Sequence, residues 1–201
     1  MGINLQKGQK IDLTKGGGGG LRQIMVGLGW DEAPQQRGFF APKPQPIDCD
    51  ASAILCGANG KVISNDINES VVYFGNLRHS SGAIVHQGDN LTGEGDGDDE
   101  QIMVNLPQLP NQVDRIVFVV NIYDARVRNQ HFGMIRNAFI RLVNMDARTE
   151  ICRFNLSENY SNMSGLVVGE IYRKNGEWKF NAIGQPVQEA SRLESLINLY
   201  K

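Results

Sequence analysis

Apolar residues along this chain recur in short runs or alternate with polar ones at a period of two, the spacing of half-buried strands and not of helices. Such runs cover Ile24 to Leu28, Ala51 to Cys56, Val71 to Phe74, Ile102 to Leu106, Ile116 to Tyr123 and Phe139 to Val143. Cys152 to Leu156, Leu166 to Tyr172 and Trp178 to Ala182 continue the series, and Ala83 to His86 reads as a further short strand. This rhythm predicts a mostly β fold, a largely antiparallel sandwich. Asn59-Gly60 and Asn175-Gly176 predict hairpin turns of the primed type, because both residue types tolerate positive φ. Ala190, Leu193, Ile197 and Tyr200, with Leu196 alongside, fall at helical spacing and predict one amphipathic helix near the C-terminus. Ala125 to Gly133 reads as a short helical crossover. Gly16 to Gly20 and the proline-rich stretch from Pro34 to Pro46 read as loops within one domain spanning 1–201, with no internal repeat.

Composition narrows the function classes. A chain of 201 residues with an ordinary apolar share can bury a sizeable core. Its net charge is only −2, and its lysines and arginines are scattered, so nucleic acid is not an expected partner. The opening Met1 to Lys7 has no apolar signal core, Gln6 stands where a myristoylation signal needs Ser or Thr, and no apolar run reaches membrane-spanning length. Cys49, Cys56 and Cys152 are odd in number and lack a Cys-x-x-Cys pair, which points to a reducing cytoplasm.

One segment departs from this ordinary picture. Gly88 to Glu100 holds six carboxylates, glycines at 93, 95 and 97, and no basic residue. Carboxylate oxygens without His or Cys suit a hard cation, and calcium, which accepts six to eight oxygens in irregular geometry, fits better than the stricter magnesium. Asp89 to Glu100 has the length and ends of an EF-hand loop, but Leu91, Gly93 and Glu94 occupy positions where that motif needs oxygens or its glycine. Flanked by strands, the loop belongs at one end of a sandwich, and other loops must complete the ion shell. Asp48 and Asp50, two apart at the opening of a strand, point the same way and are the best second contributor. Trp30-Asp31 is a weaker third, and Asp31 and Asp96 read as surface charge. The expected metal shell is Asp48, Asp50, Asp89, Asn90, Asp98, Asp99 and Glu100, holding one or two Ca²⁺ ions.

Other chemistry-bearing residues carry no assignment. Gly27-Leu28-Gly29 begins like a dinucleotide fingerprint but Glu32 replaces its third glycine, and the pentaglycine lacks the end of a phosphate loop. His79, His86 and His131 have no ligand spacing, and His86 reads as a strand-surface residue. Cys49 sits between aspartates, which raise a thiol pKa, and is a poor nucleophile. Cys56 and Cys152 read as small buried hydrophobes, and Trp178 and Phe180 as one core-facing strand face.

Taken with Leu5-x-Lys7-Gly8-Gln9-Lys10, Val26-Gly27-Leu28-Gly29-Trp30-Asp31, Asp48-x-Asp50-Ala51-Ser52 and Gly176-Glu177-Trp178-Lys179-Phe180, the acidic motif resembles the TerD family of tellurium-resistance and general stress proteins over most of the chain. The resemblance implies a calcium-binding β-sandwich, with the Asp-x-Asp and acidic segments holding the ion, in a mainly bacterial and cytoplasmic family. Ile47 and Cys49 depart from the family's Phe-Asp-Leu-Asp pattern, and the approach from Gln35 to Pro46 is longer. The expected function is a non-enzymatic calcium-binding stress protein, meeting a protein partner or a membrane-associated complex. A metal-dependent phosphoesterase and a cyclic-nucleotide-binding protein are the alternatives; no base, phosphate-binding arginine or phosphate cradle is visible for either.

Overall fold

Period-two alternation gives each strand one apolar face, and two sheets bury those faces against each other in the computed structural model of the chain. The structure describes residues 2–14, 21–33, 45–88, 97–156 and 158–201. In chain order the strands are β1 (Ile3–Leu5), β2 (Lys10–Asp12), β3 (Gln23–Glu32), β4 (Cys49–Cys56), β5 (Val71–Val72) and β6 (Ile84–His86). They continue as β7 (Glu100–Asn105), β8 (Arg115–Ile122), β9 (Ile135–Asn144), β10 (Thr149–Asn155), β11 (Gly165–Lys174) and β12 (Glu177–Val187). One six-stranded sheet, here sheet A, has the order β1-β10-β9-β3-β7-β6; sheet B has the order β2-β12-β11-β8-β4-β5. Every pairing is antiparallel except β1 with β10.

Strand parity decides what each face meets. Along β3, Ile24, Val26, Leu28 and Trp30 enter the core between the sheets, and along β4 Cys49, Ala51, Ala53 and Leu55 do the same from the other side. The intervening Ile54 and Cys56 face outward with Val117 and Val119, where they meet Leu193, Leu196 and Ile197 of α3 (Leu193–Ile197). The predicted C-terminal helix is therefore present, shortened to α3 and a following 3-10 turn, Asn198–Tyr200. Fully burying one such leucine is worth about 1.5–3 kcal/mol, which holds this short helix on sheet B where its own propensity would not. The crossover at 125–133 divides into α2 (Ala125–Arg128) and a 3-10 turn, Phe132–Met134.

The structure corrects several local expectations. Asn175 and Gly176, with φ of 55° and 78°, form the primed turn joining β11 to β12. Asn59-Gly60 does not: only Gly60 is left-handed, and a wider turn donates Gly60 N–H to Gly57 O and Gly57 N–H to Lys61 O. Val71–Val72 ends two residues early because Tyr73 turns back to bridge Asn76. The edge strands β1 and β2 lie within Ile3–Asp12, where no alternation announces them, and here the chain passes from sheet A to sheet B. At the opposite side β5 and β6 make the reverse crossing.

Candidate metal centre

The first half of β4 pairs with β8 on one side only, since β5 reaches no further than Ala53. That leaves the other edge of Cys49–Ser52 facing the segment that follows the acidic loop. Glu100, the first residue of β7, shares the inward parity of Ile102 and Val104 and is buried. Its Oε2 accepts the Ala51 N–H at 2.6 Å, so a carboxylate from sheet A caps an edge amide of sheet B. Asp99 lies along the end of β3: its own N–H donates to Leu28 O at 2.8 Å, and its Oδ2 accepts Trp30 N–H at 2.7 Å.

Asp48 and Asp50 do point the same way. By the alternation of β4 they stand on the outer face of sheet B, opposite to Cys49 and Ala51. Asp48 Oδ2 lies 3.6 Å from Arg128 Nη1, and Asp48 O accepts Tyr123 N–H at 2.8 Å. Asp50 is buried beside Asn121, whose Nδ2 is 3.4 Å from its Oδ2, a long contact.

Cys49, between Asp48 and Asp50 in the chain, is buried. Burial pushes its thiol well above the ordinary range, and the carboxylates of Glu100, Asp50, Asp48 and Asp99 push it further, in that order. A thiol raised in this way is a poor nucleophile. Burial likewise raises Asp99, with Asp31 and Asp98 adding to the effect while the Trp30 amide opposes it. Carboxylates that raise the proton affinity of their neighbours form an environment that a divalent cation relieves.

Asp98 is not brought to this cluster. It lies over Gly27 on the outer face of sheet A, where a Cβ on residue 27 would stand 2.3 Å from the carboxylate. Arg141, the neighbour of Gly27 on β9, grips it with both arms: Nε donates to Oδ1 at 2.7 Å and Nη2 to Oδ2 at 2.8 Å. Hydrogen bonding to Asp98 raises the Arg141 guanidinium above its usual range. Glu150 and Arg153 extend the network, and Arg153 stacks 4.0 Å over the Phe139 ring. Asp31 accepts from Asn137 Nδ2 at 2.7 Å on an exposed contact, in keeping with a surface role.

Asp89 and Asn90 lie outside the described residues. Among the described residues no three His, Cys, Asp or Glu side chains form a group that could hold a metal ion, Asp48, Asp50, Asp99 and Glu100 included. All their donors are hard oxygens, which fits calcium and disfavours zinc or copper. His86 is a correction to the sequence reading. It is 2% exposed, not on the strand surface, and its Nε2 lies 3.5 Å from Glu100 Oε2. Its shared parity with buried Ile84 was the available signal. A polar cleft of about 560 Å³ opens elsewhere, between α2 and the approach to α3, with Arg126, His131, Glu189 and Ser195 in its walls. None of the acidic cluster lines it.

Known proteins place this arrangement in context. The TerD domain model matches residues 1–200. The chain is 48% identical over 204 residues to stress response protein SCP2 of Bacillus subtilis (strain 168), covering 100% of both chains. It is 44% identical to tellurium resistance protein TerD of Serratia marcescens, covering 92% of this chain and 91% of that one. General stress protein 16U of Bacillus subtilis (strain 168) is 45% identical, with coverages of 94% and 92%. A crystal structure of a protein of unknown function shares the fold with a TM-score of 0.69 at 23% identity, covering 88% of this chain and 95% of that one. A homologue of telluride resistance protein (TerD) from Streptomyces coelicolor A3(2) does so with a TM-score of 0.58 at 22% identity, with coverages of 85% and 92%. This two-sheet chain belongs to the TerD family, alongside proteins named for tellurium resistance and for the general stress response.

Proposed function

We propose that this chain is a non-enzymatic, calcium-binding stress-response module whose ion sits at the sandwich end between β4 and the start of β7. The observation that carries the reading is that β7 brings the buried Glu100 carboxylate to the Ala51 N–H at 2.6 Å, next in the chain to Asp50. Asp89 and Asn90 from the acidic loop complete the shell in this proposal, and Asp98, held by Arg141 on the outer face of sheet A, stands outside it. One or two Ca²⁺ ions then neutralise the loop and tie it to both sheets, since Glu100 already joins β7 to Ala51. The ordered loop offers a surface to a protein partner or a membrane-associated complex, and through it the cell gains tolerance to tellurite and other stress. The buried, free cysteines suit a reducing cytoplasm as the place of action. Arg128 and Arg141 already face Asp48 and Asp98, so a phosphoester-hydrolysing reading gains no support from them.

Calorimetric titration of the metal-stripped protein with Ca²⁺ and with Mg²⁺ tests the reading. Saturable heat with Ca²⁺, weaker heat with Mg²⁺, and loss of both in Asp50→Asn are expected. A hundredfold excess of calcium over its dissociation constant adds about 2.7 kcal/mol to stability, which thermal unfolding reads independently. Absence of binding heat together with an unmoved Tm in millimolar calcium overturns the proposal. For the cellular role, a strain lacking the gene and complemented with Asp50→Asn should survive tellurite no better than the uncomplemented strain.

A further inference from the structure

The acidic loop leaves β6 just after His86 and rejoins the sheet at Glu100, and one buried imidazole touches both ends. His86 Nδ1 accepts the Gly88 N–H at 3.1 Å, while its Nε2 faces Glu100 Oε2 at 3.5 Å. A ring nitrogen that accepts a hydrogen bond carries no proton, so the ring proton sits on Nε2, directed at the carboxylate. The Gly88 bond is the firm one. The 3.5 Å contact is longer than a formed N–H···O bond and acts by orientation and dipole attraction. Glu100 Oε2 in turn holds the Ala51 N–H at 2.6 Å. One series of polar contacts therefore runs from Gly88 through His86 and Glu100 to Ala51, next to Asp50.

We infer that His86 is a positioning residue for the ion site, setting where the acidic loop departs at Gly88 relative to the Glu100 carboxylate and the edge of β4. The inference rests on the calcium reading above. Polar groups one step behind a metal ligand fix its rotamer, and their loss costs about 10–100-fold in metal affinity. The position also suits a rigid ring. The described ends of the loop meet in the β6–β7 ladder, where His86 pairs with Ile102 and Gln87 N–H donates to Gln101 O, so a small change of the side chain at 86 alters the stem without unpairing the strands.

The side chain can be divided between its two contacts. In His86→Asn an amide oxygen can still accept from Gly88 N–H but nothing reaches Glu100; in His86→Gln the amide reaches Glu100 and leaves Gly88. His86→Ala loses both. Calcium titration and amide hydrogen exchange of the metal-free protein are measured for each. His86→Ala should bind calcium about tenfold more weakly or worse, with faster exchange confined to Gly88 and Ala51. The Asn variant should recover protection at Gly88 alone, the Gln variant at Ala51 alone, and each should regain part of the affinity. If His86→Ala does not fold, the Asn and Gln variants carry the comparison. Wild-type protein that binds no calcium defeats the calcium reading and this role with it. Calcium affinity within twofold of wild type in the variants, or protection lost throughout the sandwich, overturns the positioning role alone.

Discussion

Replacing Arg141 with methionine tests how the segment leading into Glu100 is anchored. Methionine keeps much of the stem volume but removes both arms that hold Asp98, at 2.7 and 2.8 Å. The Asp98 side chain is 0% exposed and that of Arg141 27%, so the substitution strands a carboxylate that water cannot reach. Breaking a fully buried pair costs about 3–5 kcal/mol. The guanidinium here is partly solvated, which lowers the expectation to about 2–4 kcal/mol. For a protein of this length that corresponds to a Tm lower by about 4–16 °C. Adding Asp98→Asn to the same chain removes the stranded charge and should recover at least half of the loss. Scanning calorimetry or urea unfolding in a chelator supplies the stabilities, and a calcium titration of the double variant supplies a second readout. Since Asp98 lies on the outer face of sheet A, the double variant should bind calcium within about threefold of wild type, a difference of under 1 kcal/mol. A loss below 1 kcal/mol in Arg141→Met would refute the anchoring argument, and a tenfold loss of calcium affinity in the double variant would return Asp98 to the ion shell.

Further outcomes follow from the same geometry. Burial raises the proton affinity of Asp99 in the folded chain, so its charge opposes folding at neutral pH and ceases to do so as pH falls below the ordinary 3.8. Metal-free Asp99→Asn should therefore melt no lower than wild type at pH 7, converge with it in acid, and yet bind calcium more weakly; a lower Tm at pH 7 contradicts this. The thiols of Cys56 and Cys152 are pushed up to about 11 and about 12 by burial, and that of Cys49 well above its usual range. Native protein at pH 7.5 should show no fast reaction with an aromatic disulfide reagent, while all three cysteines react in denaturant; rapid native labelling would show that the sandwich opens easily. Leu196→Ala removes a fully buried side chain of α3 and should cost about 2–5 kcal/mol in urea unfolding. Retention of wild-type stability would mean that α3 contributes little.

The long strands were legible because their parity is strong. Ile116 to Tyr123 predicts β8, Arg115–Ile122, to within a residue at each end. Short elements carry too few residues for a period to emerge, and β1 and β2 went unread for that reason. Asn59-Gly60 shows the limit of a dipeptide signal: the residues permit a primed turn, but the bridge from Cys56 to Val62 demands a wider loop. At the candidate site, charge and spacing alone single out Asp48, Asp50, Asp99 and Glu100 for the proposed shell. The pairing of Asp98 with Arg141 is not legible in this way, because Arg141 lies 43 positions away and meets Asp98 only across the space left by Gly27. His86 was misplaced on the surface because a lone histidine gives little weight to the parity of a three-residue strand.

The crossings at either side of the sandwich have a consequence for association. Each sheet ends in a strand of three residues or fewer, β1 and β6 in sheet A and β2 and β5 in sheet B. An incoming β-strand from another molecule finds almost no ladder to extend, which protects a chain rich in β-structure against edge-to-edge growth. The broad outer side of sheet A, by contrast, keeps Val85, Met103 and Val143 only half-buried.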